Sequence, residues 1–208
     1  MGAIEGQART VLNTDDVRGL MQGEDCLLVA PGPSSKAIDP ERYRDYWTIC
    51  CNRSVTYGAP DFVLCVEPMR DGIWKIVRTT SPFIVFTHLC ENANAKKPHQ
   101  RVVHIASNDV MQWMDPPRWQ KEDKLRVSQS SFFGCAVGCM LGFRTIAMIG
   151  VDLTADRFPD RDLERINTTW LRMDDVMKTK GSHMVNLSPD SRLTSIDQGS
   201  WDDIRKKA

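Results

Sequence analysis

The sequence predicts an α/β domain with a mainly parallel β-sheet flanked by helices, on the basis of two patterns. Apolar runs of strand length alternate with helical patterns along the 208 residues. Most of these runs are continuously apolar, which is typical of parallel strands covered on both faces. A Gly-containing turn at residues 31–35 ends the first run. We therefore expect an N-terminal extension over 1–24 and one Rossmann-like nucleotide-binding domain over 25–208.

The individual elements follow from the spacing of apolar residues. Helices are predicted where these residues recur every three or four positions, and a short amphipathic helix is expected within 1–24. The helix over 130–141 is apolar nearly all round, so we expect it to be buried against the sheet. The predicted strands are 26–30, 47–51, 62–66, 82–86, 102–105, 145–149 and 184–187, and the predicted helices are 70–78, 130–141 and 160–180. The polar segments 91–98 and 107–126 are predicted to be surface loops.

Composition excludes several classes of protein. Basic and acidic residues balance at 27 each, whereas a chain that bound nucleic acid mainly through its phosphates would be basic. No apolar stretch approaches the ~20 residues of a membrane span. The 7 cysteines include no C-x-x-C pair, and Cys135 and Cys139 are expected to pack a helix face rather than hold a metal. Thiols within apolar runs favour a reducing, cytoplasmic location.

Polar residues and glycines cluster where the predicted strands end. Open α/β sheets bind ligands beyond the carboxyl ends of their strands, and backbone N–H groups there attract anions. Arg53 is suited to clamp a phosphate, and Asp152 to accept a hydrogen bond from a ribose hydroxyl. The candidate nucleotide-binding residues are Gly32, Pro33, Ser34, Asn52, Arg53, Ser130, Ser131, Gly150, Asp152 and Arg157.

Each candidate also has an ordinary structural interpretation. Asn52 is a common turn residue, and Ser130 and Ser131 are suited to cap the helix that follows them. The acidic residues Asp152, Asp156, Asp160 and Asp162 could indicate a metal, but no dedicated metal site is predicted.

A catalytic base is harder to assign from the sequence. His88 follows a predicted strand on the side where ligands bind, so it is the first candidate. Asp156 is the second. No Ser-His-Asp arrangement or nucleophile elbow is readable.

An ordered set of motifs resembles the bacterial sialyltransferases of the Campylobacter lipooligosaccharide type. The motifs lie at 27–35, 51–53, 130–137, 141–146, 150–153 and 185–193. They are shared more loosely with flagellin-modification proteins that carry a Gly-Pro-Ser motif and with 6-hydroxymethylpterin pyrophosphokinases. The resemblance implies a sialyltransferase-like fold, a variant of the GT-A type. It also implies contacts to CMP from Gly32, Ser34, Asn52, Ser131, Gly150 and Asp152.

The sequence departs from that family in two places. Pro31-Gly32 stands where the sialyltransferases have an Asn-Gly pair, which removes a side-chain contact and one backbone donor. The family's lid, which supplies its catalytic His and its phosphate-binding Tyr residues, has no clear counterpart, since no Tyr follows Tyr57.

We therefore expect a glycosyltransferase that uses a CMP- or UDP-linked sugar donor without a required metal. Backbone N–H groups at Gly32 and Ser131, together with Arg53, are expected to stabilise the leaving phosphate. The acceptor hydroxyl, on a glycan, a protein or a modified nucleobase, is left open, as is the oligomeric state. Two alternatives remain: a pyrophosphokinase or related transferase that uses ATP and Mg²⁺, and a non-catalytic nucleotide-binding module.

Overall fold

A computed structural model describes residues 11–12, 14–65, 84–87, 101–104 and 130–207. The strands are β1 (Val11–Leu12), β2 (Asp25–Val29), β3 (Trp47–Cys51), β4 (Phe62–Cys65), β5 (Ile84–Thr87), β6 (Arg101–His104), β7 (Thr145–Ile149) and β8 (His183–Asn186). The α-helices are α1 (Thr14–Val17), α2 (Arg42–Asp45), α3 (Ser130–Leu141) and α4 (Asp160–Thr179), and short 3₁₀ helices cover Pro33–Ala37, Asn52–Thr56 and Trp201–Asp203. The helix predicted over 70–78 and the loops predicted over 91–98 and 107–126 lie outside the described residues.

These strands form one sheet in the order β1-β6-β5-β4-β3-β2-β7-β8, and every pairing between them is parallel. The α/β prediction is therefore confirmed. The chain moves outward from β2 to β6 on one side and then crosses to β7 and β8 on the other. The strand order thus reverses beside β2, and a reversal of this kind opens a ligand crevice at the carboxyl edge of the sheet.

The continuous apolar runs have a direct structural cause. Within β2 and β7 every residue is buried, because neighbouring side chains enter different cores on the two faces of the sheet. Leu28 packs in the core that contains α3 and α4, whereas Leu27 packs in the core on the opposite face. Each face of the sheet is covered, as parallel strands require.

Helix α3 lies unusually close to the sheet because two of its positions are glycine. A Cβ atom at Gly134 would stand 2.7 Å from Leu28 Cδ1 and 2.9 Å from Cys51 Sγ. A Cβ atom at Gly138 would stand 2.8 Å from Ile146 Cδ1. This close packing places the first turn of α3 next to the end of β3.

A buried carboxylate, that of Asp25, lies at the amino edge of the sheet and links the segments around it. Asp25 accepts hydrogen bonds from Arg144 at 2.7 and 3.1 Å, from Thr145 N at 3.2 Å and from Arg205 N at 2.9 Å. Burial by itself would raise the pKa of Asp25, but the hydrogen bonds from Arg144, Arg205 and Thr145 outweigh it and hold that pKa below its ordinary value. Asp25 therefore ties β2, β7 and the C-terminal segment together.

The N-terminal segment differs from the expected amphipathic helix. Val11–Leu12 pair in parallel with β6 as an edge strand, and the helix that follows spans only Thr14–Val17, with Val17 buried. Strand pairing takes up Val11, and Gly19, with a φ of +72°, lies in the turn that follows the helix. None of the described helices is long and apolar enough to cross a membrane.

Candidate functional site

The loops after β2 and β7 are in direct backbone contact, with no room for a side chain between them. Gly32 N donates to the Gly150 carbonyl at 3.0 Å. A Cβ atom at Gly32 would lie 2.2 Å from Gly150 O and 2.5 Å from Asp152 Oδ2. Gly150 itself has a φ of +82°, in the left-handed region that favours glycine. Both glycines are therefore required to bring the two strand ends together.

Ser34 joins this pair of loops through its backbone and its side chain. Ser34 N lies 2.9 Å from Asp152 Oδ2, and Ser34 Oγ lies 2.5 Å from Asp152 Oδ1. Ser34 Oγ also accepts from Gly150 N at 3.0 Å. The structure thus brings together three of the predicted nucleotide contacts, and it holds the Asp152 carboxylate at both oxygens.

A residue that was not a predicted site residue, although it lies in the 185–193 motif, completes the cluster. Ser188 follows β8 and is fully buried, with its Oγ 2.9 Å from Ser34 Oγ and 3.0 Å from Gly150 N. A signal for Ser188 is present in the sequence, since it follows a predicted strand just as Ser34 does. Its neighbours include no glycine, however, and glycine is the feature that marks the loops after β2 and β7.

A second group of predicted residues lies at the end of β3. Asn52 is 5% exposed, adopts a φ of +50° and donates from Nδ2 to Ser130 Oγ at the start of α3. Ser54 Oγ donates to the Val29 carbonyl at 2.6 Å and so ties this turn to the end of β2. The loops after β2, β3, β7 and β8 and the first turn of α3 are therefore joined by hydrogen bonds along one edge, which we call the switch edge.

The loop after β2 does not act as the phosphate cradle that the sequence predicted. Pro31 and Pro33 have no N–H, and Gly32 N donates to Gly150 O. The N–H groups of Ser34 and Ser35 donate to Asp152 and to the Gly32 carbonyl. Every backbone donor of residues 31–35 is thus absent or used. In this structure the Gly32 N–H, which was expected to stabilise a phosphate, is bonded to the Gly150 carbonyl instead.

The first turn of α3 is the remaining backbone feature suited to an anion. The first four N–H groups of an α-helix have no partner within the helix, and the helix dipole adds positive potential there. Ser130 and Ser131 supply hydroxyls at this point, and Ser131 is buried. Arg53 is exposed immediately after Asn52. The first turn of α3 and Arg53 are therefore the groups at the switch edge best suited to bind a phosphate or a carboxylate.

The segment between β7 and α4 is held in place by Arg192, a second residue that the sequence did not single out. Its guanidinium donates to the carbonyls of Phe158 at 2.9 Å and Leu153 at 3.3 Å, and it pairs with Asp160. Leu153 adopts a φ of +51°, which no sequence signal marked. Arg192 fixes the course of the chain directly after Asp152.

Of the two candidate catalytic bases, Asp156 is among the described residues. Asp156 and Arg157 are exposed on the turn that precedes α4. A hydrogen bond from the Thr154 hydroxyl lowers the pKa of Asp156, and a base of low pKa is poorly matched to proton abstraction near neutral pH. His88 lies outside the described residues.

The acidic residues considered for a metal are separated by their partners. Asp152 is held by Ser34, Asp160 pairs with Arg192, and Asp162 lies 4.0 Å from Arg161. Within the described ranges no group of three or more His, Cys, Asp or Glu side chains is arranged to hold a metal ion.

Several solved structures share the fold of this chain. The sialyltransferase CstII of Campylobacter jejuni in complex with CMP matches with a TM-score of 0.60 and 18% identity, over 86% of each chain. CstII with CMP and a trisaccharide acceptor matches with a TM-score of 0.57 and 17% identity, over 84% of this chain and 85% of that one. An α-2,3-sialyltransferase from the same organism matches with a TM-score of 0.56 and 13% identity, over 98% of this chain and 88% of that one.

The fold is that of the Campylobacter sialyltransferases. At this level of identity the likeness establishes the architecture and leaves the activity to be argued from the site. No family model matches the sequence, and the comparison with curated proteins found no match.

Proposed function

We propose that this chain is a glycosyltransferase that binds a pyrimidine nucleotide sugar at the switch edge and transfers the sugar to an acceptor hydroxyl. One observation carries the proposal: Gly32, Ser34, Asn52, Ser130, Gly150 and Asp152, predicted separately as nucleotide contacts, lie along one hydrogen-bonded edge. That edge lies where the strand order reverses, the usual position of nucleotide sites in open α/β sheets. The solved structures of the same fold include complexes with CMP.

The site divides by chemistry into two parts. Asp152 is a hydrogen-bond acceptor suited to sugar hydroxyls, and its carboxylate is oriented by Ser34. The first turn of α3, with Asn52 and Arg53 beside it, is suited to an anionic group. A nucleotide sugar carries both features, a ribose and a phosphate.

The proposed reaction is a single displacement. The acceptor oxygen forms a bond to the anomeric carbon while the bond from that carbon to the phosphate oxygen breaks, and the acceptor proton passes to a base. Donors at the switch edge stabilise the negative charge that develops on the departing phosphate. His88 is the base we propose to test first, since the lowered pKa of Asp156 makes it the weaker candidate.

Nucleotide binding is the first test. In thermal-shift assays with CMP, UMP, UDP and ATP, each with and without Mg²⁺, we expect stabilisation by a pyrimidine nucleotide that does not require the metal. A ligand at ~100 times its Kd adds about 2.7 kcal/mol to the free energy of unfolding. Stabilisation by ATP alone, and only with Mg²⁺, would instead favour the pyrophosphokinase.

A pair of variants ties the binding to the switch edge. Asn52→Gly keeps a backbone that adopts positive φ readily but removes the amide that contacts Ser130, so it should weaken nucleotide binding. Thr56→Ala lies in the same 3₁₀ helix and removes only an exposed hydroxyl bonded to the Arg53 carbonyl, so it serves as the control. Equal affinities in the two variants would place the nucleotide elsewhere.

Turnover separates the enzyme from a binding module. We expect release of free nucleotide from CMP- or UDP-linked sugars in the presence of a glycan array, and loss of that release in His88→Ala with nucleotide affinity retained. Saturable binding with no release from any donor would favour the non-catalytic alternative.

A further inference from the structure

Ser188 lies at the centre of the switch edge although nothing in the proposed reaction requires it to touch a substrate. Its side chain is fully buried, and its Oγ lies within hydrogen-bond distance of Ser34 Oγ and Gly150 N, at 2.9 and 3.0 Å. Through Ser34, the buried Ser188 hydroxyl can therefore orient the Asp152 carboxylate.

The direction of the hydrogen bonds follows from counting protons. A serine hydroxyl has one hydrogen, and an ionised carboxylate can only accept. The 2.5 Å contact between Ser34 Oγ and Asp152 Oδ1 therefore takes the Ser34 proton. Ser34 Oγ then accepts from its other two neighbours, which makes Ser188 the donor across the 2.9 Å contact. The result is a relay in which Ser188 donates to Ser34 and Ser34 donates to Asp152.

The Asp152 side chain depends on this relay for its orientation. Ser191 Oγ donates to the Val151 carbonyl at 2.5 Å, and Arg192 N donates to the Asp152 carbonyl at 3.1 Å, so the backbone of this segment is held independently. In the described part of the chain, the contacts to the carboxylate itself come from Ser34 N and Ser34 Oγ. Serial hydrogen bonds polarise one another, which strengthens the terminal bond to the carboxylate.

We propose that Ser188 is a positioning residue that acts through Ser34 to present the free lone pairs of Asp152 to the hydroxyl pair of a nucleotide ribose. This inference rests on the proposed nucleotide site and adds a role for a residue that does not contact the ligand. It gives the loop after β8 a function in ligand selection, namely discrimination in favour of an intact ribose diol.

The test is a binding cycle by calorimetry with two probes, CMP and 2′,3′-dideoxycytidine monophosphate. Ser188→Ala should weaken CMP binding by about twofold to tenfold, the range that one net hydrogen bond supplies. It should leave the affinity for the dideoxy probe unchanged, because that probe has no diol for Asp152 to bind. In an Asp152→Ala background, which has no acceptor for Ser34 to orient, Ser188→Ala should cause no further loss for CMP.

Ser182→Ala is the matched control, since Ser182 is also a buried serine and donates to the Phe143 carbonyl at 2.6 Å, at the opposite end of β8. It should lower stability without changing the ratio of the two affinities. If Ser188→Ala does not fold, Ser188→Cys, whose thiol is a weaker hydrogen-bond donor, should give the same selective weakening of CMP binding.

The outcomes separate the inference from the function on which it rests. Equal weakening of both probes by Ser188→Ala, or no change in either, overturns the positioning role while nucleotide binding stands. Failure of the wild-type protein to bind any pyrimidine nucleotide overturns the proposed function and the positioning role together.

Discussion

Replacement of Gly32 by alanine tests whether the contact between the β2 and β7 loops stabilises the fold. The backbone at Gly32 has φ −71° and ψ 165°, a conformation that alanine adopts without strain. The added Cβ atom would nevertheless lie 2.2 Å from Gly150 O and 2.5 Å from Asp152 Oδ2. In the folded state the substitution therefore introduces a steric clash without backbone strain.

The size of the effect follows from the two ways of accommodating the methyl group. If the loops stay together, overpacking costs about 1–3 kcal/mol. If they move apart by about 1 Å, the bonds from Gly32 N to Gly150 O and from Ser34 N to Asp152 are lost, at about 1 kcal/mol each. Either way we expect Gly32→Ala to lower the free energy of unfolding by about 2 kcal/mol.

Two further glycines provide matched controls. Gly181 has a φ of +81°, and a Cβ atom added there would have nothing within 4 Å, so Gly181→Ala introduces strain without a clash, at about 1 kcal/mol. Gly150 combines a φ of +82° with a Cβ position 2.1 Å from Ala30 O. Gly150→Ala should therefore be the most damaging of the three.

Urea unfolding followed by tryptophan fluorescence measures all three variants on one scale. The expected order of destabilisation is Gly150→Ala, then Gly32→Ala, then Gly181→Ala. A Gly32→Ala protein as stable as the wild type, or more stable than Gly181→Ala, would refute the claim that the loops are held in contact.

Three other predictions concern regions away from these loops. Asp25→Asn breaks a buried ion pair and should cost about 3–5 kcal/mol, against little change in Asp45→Asn, whose side chain is 45% exposed. Because the folded pKa of Asp25 is lowered, its stabilisation is present above the ordinary value of 3.8 and is lost as pH falls through the folded pKa. The urea unfolding curves of Asp25→Asn should therefore depend less on acid pH. Arg192→Lys should speed amide hydrogen exchange across 153–158, because a lysine cannot bond both the Leu153 and the Phe158 carbonyls. The control, Arg161→Lys, should leave exchange in this segment unchanged. Burial raises the thiol pKa values, so mass spectrometry after alkylation should find these cysteines modified only in unfolded protein: Cys26, Cys50, Cys51, Cys65, Cys135 and Cys139.

Much of the sheet was predictable because burial on both faces leaves a local signature. The apolar runs at 47–51 and 145–149 match β3 and β7 residue for residue, and the helix over 130–141 matches α3. The edge strand β1 was not predictable, since its two residues form a strand only through their pairing with β6. A pattern within the chain cannot report a partner some 90 residues away.

In the candidate site, too, the sequence marked residues with a local signal but not the contacts that form only on folding. Glycines and hydroxyls after strands marked Gly32, Ser34 and Gly150 correctly as members of one edge. The sequence could not show which N–H groups have partners in the folded chain, and the Gly32 N–H is bonded to the Gly150 carbonyl. Ser188 and Arg192 act through contacts that only the folded chain creates.

The hydrogen bonds of the switch edge join segments that lie far apart in the sequence and are therefore synthesised at different times. Ser34 and Asp152 are 118 positions apart, and Ser34 and Ser188 are 154 apart. Closing loops of this length has an entropic cost that is met only once the intervening sheet has formed. A chain emerging from the ribosome therefore has no complete site until residue 188 is free, so a bound ligand would mark chains that have finished folding.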